Sequence, residues 1–147
     1  MQRWIALGAV VLALFCVGSY LGLKTYKQSR PYPIWIPLPI KADMDKGQRD
    51  EACAQVRDYM FEEERVLAMA RDLELAKLWS LSSENEAAHA LRKRMFVRLG
   101  RTNTEFGEVP AIEMGANGTR KEIETTQKIV QRMVDDMKRA RGTRGGE

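Results

Sequence analysis

The chain has 147 residues, 44% hydrophobic and 30% charged, with 24 Lys and Arg against 20 Asp and Glu for a net charge of +4. That length excludes two sizeable cores, and two cysteines, Cys16 and Cys53, exclude a disulfide scaffold. The positive charge gathers beside an N-terminal apolar run and in the tail from Lys138 to Arg144, without interleaved aromatics, which argues against nucleic acid as a partner.

From Trp4 to Leu23 no residue is charged, and twenty residues at about 1.5 Å each match the roughly 30 Å of bilayer hydrocarbon. The expectation is a transmembrane anchor over residues 1–25. A cleaved signal peptide is the competing reading, but the run continues past Gly18 and Ser19 into Tyr20 and Leu23 instead of ending at small residues. Trp4, Tyr20, Lys24, Lys27 and Arg30 are the expected membrane-interface residues, contacting lipid. The flanking charges favour a cytoplasmic domain by about one charge, too few to set the orientation of a translocated domain.

Residues 26–49 read as a juxtamembrane Pro-rich strand and linker. Ile34, Ile36, Leu38 and Ile40 occupy even positions, and Pro31, Pro33, Pro37 and Pro39 odd ones. In a strand, that period of two puts every missing N–H on one edge, the pattern of an edge strand sealed on its outer side. A polyproline spacer is the alternative. Residues 50–141 read as the helix-rich part of a small domain. Asp50 to Met60 has helical spacing, and Val66, Met69, Ala70 and Leu73 form a second stripe, giving two helices or one bent helix. The intervening Glu62, Glu63 and Glu64 suit a helix N-terminus better than a metal. Ser83-x-x-Glu86 and Thr119-x-x-Glu122 are capping-box patterns, each opening a helix. Phe96–Leu99 and Val109–Met114 look like short strands, with turns at Arg101–Gly107 and Asn117–Gly118. In the last helix Ile123, Val130, Met133 and Met137 have an a/d-like spacing, candidates for an oligomer interface, with core packing as the default. Residues 142–147 read as a flexible tail.

The fold class expected is therefore α+β: one N-terminal transmembrane helix, then three to four helices and a short, mostly antiparallel sheet. Chemistry is sparse. His89 is the sole histidine and lies mid-helix, Cys53 reads as a small buried residue, and no HExxH, CxxC or phosphate-loop spacing occurs. No catalytic, cofactor-binding or metal-binding residue is nominated, and the expectation is a protein that is not an enzyme.

One resemblance emerges. Arg65-Val66-Leu67, Leu73-Glu74-Leu75-Ala76-Lys77-Leu78-Trp79, Ala90-Leu91-Arg92-Lys93-Arg94-Met95-Phe96-Val97, Gly100-Arg101-Thr102-Asn103 and Ile112-Glu113-Met114 resemble segments of the polysaccharide chain-length determinants, the Wzz-type co-polymerases. The resemblance runs in outline from Tyr26 to Arg141 and covers the family's N-terminal part alone, since no second apolar run follows. It implies a domain on the periplasmic side of the bacterial inner (cytoplasmic) membrane, assembled into a ring; members return to the membrane through a second span, so the one apolar run here makes the expectation a single-pass protein. It also implies a non-enzymatic regulator or accessory subunit in surface polysaccharide synthesis or export. Its partners would be itself or full-length co-polymerase subunits, and the polymerase or export machinery. The alternative is an anchored accessory subunit of another membrane complex.

Overall fold

A computed structural model describes residues 19–20, 22–105 and 107–144. The order of elements is α1 (residues 22–29), β1 (Pro31–Pro39), α2 (Lys46–Met60), α3 (Glu63–Asp72), α4 (Leu75–Leu78), α5 (Glu84–Arg94), β2 (Met95–Thr104), β3 (Gly107–Thr119) and α6 (Ile123–Arg144). Among the described residues the fold is α+β, six helices with a three-stranded antiparallel sheet in the order β1-β3-β2.

The expectation of a transmembrane helix is corrected. Among the described residues no helix is long and apolar enough to cross a membrane. Within the expected anchor, residues 1–18 and 21 lie outside the described residues, and the described helical residues 22–29 carry Lys24, Thr25, Lys27, Gln28 and Ser29. A single-pass architecture and an inner-membrane location are therefore not carried forward.

β1 forms where the alternation of proline and aliphatic residues places it. Pro31 pairs with Thr119 and Pro39 with Ala111, so β1 is an edge strand against the central β3. Ile34, Ile36 and Leu38 turn toward the helices and pack on the core. β2 and β3 are longer than the alternation suggests. Arg101 to Thr104 continues β2 into the hairpin, and Asn117 and Gly118 are strand residues opposite Pro33 and Tyr32 instead of a turn. Turn-forming side chains are tolerated there because pairing with β1 supplies the hydrogen bonds that local propensity lacks.

The helix boundaries follow their caps. α2 starts at Lys46, four residues ahead of the expected start, because Asp45 and Gln48 form a capping box: Gln48 N–H donates to Asp45 Oδ1 at 2.8 Å and Asp45 N–H to Gln48 Oε1 at 3.1 Å. Phe61 and Glu62 separate α2 from α3, whose first turn holds Glu63 and Glu64. Ser83 Oγ accepts from Glu86 N–H at 3.2 Å, while the Glu86 carboxylate turns to the Ser82 hydroxyl and N–H. These two bonds to Ser82 hold the Glu86 carboxyl below its ordinary range. α4 ends in a Schellman pair, Leu81 N–H to the Ala76 carbonyl and Ser80 N–H to that of Lys77. The left-handed position there is Ser80, with φ 53°, instead of glycine. α6 continues to Arg144, through residues expected as tail.

The core lies between one face of the sheet and the helices. Met95, Val97, Ile112, Met114 and Ala116 meet Cys53, Met60, Met69, Leu75, Leu91, Ile129 and Met133. Helix α6 lies on β3 and β1, and α2 on β2. Burying a residue such as Leu91 or Met133, both 0% exposed, contributes about 1.5–3 kcal/mol.

Candidate functional site

The sheet has one face under the helices and a second that adds nothing to the core. On that second face side chains alternate out of register with the core row, so cross-strand rows can be read from the pairing. Trp35 of β1, Gly115 of β3 and Phe96 of β2 form one row, and Pro37, Glu113 and Arg98 the next. Gly115 makes the first row possible. A Cβ there would press on the Ile34 carbonyl oxygen and lie 2.7 Å from Trp35 Cβ, so only glycine lets β1 approach so closely. Trp35 is 45% exposed, and Phe96 is half-buried beneath the Arg98 guanidinium, 5.1 Å from the ring centre. Arg98 also pairs with Glu113 at 2.7 Å. The result is a shallow aromatic trough with a glycine floor and an ion pair beside it. Its surfaces suit stacking and hydrogen bonding to a partner, and it holds no nucleophile with a base.

A second polar cluster ties the ends of three helices together. Arg94 at the end of α5 stacks on Trp79, 4.2 Å from the ring centre, and pairs with Glu122 at 2.8 Å. Glu122 accepts the Thr119 N–H at 3.2 Å and the Thr119 hydroxyl at 2.9 Å, so the Thr119-x-x-Glu122 motif closes a 3-10 turn (Arg120–Glu122) ahead of α6. Partial burial acts to raise the Glu122 carboxyl, but Arg94 and the Thr119 bonds outweigh it and hold the group below its ordinary range. These contacts join the ends of α4 and α5 to the start of α6 as a clasp.

The residues nominated from sequence fall as follows. Val130 and Met133 are buried under the sheet, and Met137 packs half-buried against the same core. Ile123 is half-buried at the start of α6. Tyr20, Lys24, Lys27 and Arg30 are exposed, and Trp4 lies outside the described residues. Tyr32 and Trp35, which had no assigned place from sequence, are both exposed, at 43% and 45%. His89 is exposed at the rim of a shallow groove lined by Glu63, Val66, Asn85 and Arg92. Cys53 is buried with a free thiol. Among the described residues no three His, Cys, Asp or Glu side chains are grouped to hold a metal ion.

Sequence reasoning missed the trough, although one signal was present. A lone aromatic at an odd position among prolines, Trp35, had to project away from the aliphatic row. Comparison of the chain with known protein families, characterised proteins and solved structures gives no match, so the resemblance rests on the quoted residues.

Proposed function

We propose that this chain is a non-enzymatic accessory or regulatory subunit in surface polysaccharide synthesis or export, working through contacts and not through chemistry. The observation that carries the contact role is the Trp35–Gly115–Phe96 trough, an aromatic surface on the sheet face that adds nothing to the core. An exposed tryptophan beside a second ring and an ion pair provides stacking area at low entropic cost. The pathway is supported by the motifs quoted above.

The test is deletion of the gene followed by complementation. Loss of the chain is expected to alter the length distribution or amount of surface polysaccharide on a gel, and Trp35→Ala is expected to fail to restore it while keeping the wild-type circular dichroism spectrum. An unchanged polysaccharide profile on deletion removes the pathway. Full complementation by Trp35→Ala removes the trough from the proposal.

A further inference from the structure

The two edges of the sheet are chemically unlike. Ile40 N–H donates to the Pro110 carbonyl at 3.1 Å, which shows that the even-numbered residues of β1 turn their backbone groups toward β3. The odd ones face outward, and they are Pro31, Pro33, Trp35, Pro37 and Pro39. Trp35 is then the one N–H donor on the outer edge of β1, and another strand cannot build a ladder there.

The edge of β2 is open. Even-numbered residues of β2 pair with β3, so Val97, Leu99, Arg101 and Asn103 face outward. The Val97 carbonyl is taken by Arg57 Nη2 at 3.3 Å, which confirms the phase and caps the start of the edge. Beyond it, the outward backbone groups of Leu99, Arg101 and Asn103 have no hydrogen-bond partner among the described residues. The same stretch is accessible: Leu99 is 38% exposed, and the Arg101 side chain 74%.

Charge decides what fits. β2 carries Arg98 and Arg101 and no acidic residue. Their partners Glu113 and Glu108 belong to β3, on the far side from any added strand. Arg57, at the head of the edge, has no carboxylate partner among the described residues. A second copy paired on a twofold axis through the middle of the free edge would set Arg101 against Arg101, and directly opposed like charges destabilise a sheet. We propose that the free edge of β2 from Leu99 to Asn103 is a strand-addition site for an extended acidic segment of another polypeptide. In antiparallel register, the residue opposite Arg101 and the residue two positions later, opposite Leu99, share one face. The segment recognised therefore has a carboxylate followed, two residues on, by an apolar side chain. Backbone bonds supply affinity and these two side chains specificity, as in other strand additions.

The experiment uses the full chain and a capped seven-residue peptide in which threonines alternate with glutamate, glutamate and valine, labelled for fluorescence anisotropy at low salt. A peptide with lysines replacing the glutamates, and one N-methylated at the amides that would face β2, are the comparisons. The glutamate peptide is expected to bind, the lysine and N-methylated peptides about tenfold or more weakly, because each loses a charge match or several backbone bonds. Arg101→Pro removes an outward N–H and leaves the β2–β3 ladder whole, so it should melt close to Arg101→Gln and bind the glutamate peptide less tightly than that variant. Thr102→Pro removes an N–H that faces β3 and should lower the melting temperature sharply. Equal binding of the N-methylated and unmodified peptides overturns the proposal without reliance on any variant, as does equal binding of the lysine peptide or no binding by the wild type. A concentration-dependent dimer in analytical ultracentrifugation that Arg101→Pro dissolves would make a second copy the occupant and overturn the acidic segment.

Discussion

Substitution of Gly115 by alanine tests how tightly β1 is laid on β3. The new Cβ would lie 2.7 Å from Trp35 Cβ and 2.8 Å from Trp35 Cα, and against the Ile34 carbonyl oxygen. Two of these three atoms are backbone, so no side-chain rotation relieves the contact, and β1 must move outward by about an ångström to restore ordinary packing distance. Overpacking of this kind costs about 1–3 kcal/mol, and the lower chain entropy of alanine in the unfolded state returns about 0.4–1 kcal/mol. A net loss of about 1.3 kcal/mol lowers the melting temperature by roughly 4–8 °C for a domain of this size. Gly107 and Gly22 calibrate the result. At Gly107 a Cβ meets nothing within 4 Å but φ is +108°, so alanine should cost about 1 kcal/mol, while at the helical Gly22, also with nothing within 4 Å and no positive φ, alanine should stabilise by about 0.5–1 kcal/mol. Urea unfolding followed by far-ultraviolet circular dichroism measures all three. Wild-type stability for Gly115→Ala, or a loss smaller than that for Gly107→Ala, would refute the close strand approach.

Three further outcomes are expected. Met133→Ala, at a residue 0% exposed under the sheet, should cost about 2–5 kcal/mol in the same urea titration, and a loss below about 1 kcal/mol would show that α6 does not pack as described. Ser80→Gly should stabilise by about 1 kcal/mol, because Ser80 holds φ 53° at the end of α4 where glycine carries no Cβ penalty, and the check is a rise in the thermal midpoint. Glu122 is held below its ordinary carboxyl value of 4.5 by Arg94 and Thr119 despite partial burial, so its contribution is present above pH 4.5 and lost as pH falls through the folded-state value. The stability gap between wild type and Glu122→Gln should therefore shrink below about pH 4.5 in denaturation curves taken across that range, and a gap independent of pH would contradict the clasp.

Part of this fold is decided by a few neighbouring residues at a time. The proline and aliphatic alternation of β1 placed the strand, its buried row and its sealed edge, because side-chain facing and missing N–H groups follow from a period of two along one strand. The caps at Ser83 and Thr119 placed the openings of α5 and α6 by short-range hydrogen bonds, and the same rule applied at Asp45 would have placed α2. The tertiary structure alone decided that β3 is central, that Asn117 and Gly118 are strand and not turn, and that Trp35 shares a row with Gly115 and Phe96. It also brought Arg57 to the Val97 carbonyl and Arg94 between Trp79 and Glu122. These contacts join residues far apart in the chain, and their register is set by which aliphatic row can be buried against which helix, a choice no local window of sequence contains. The sealed edge was therefore legible from β1 alone, whereas the open edge existed only once β3 had taken the inner side of β2.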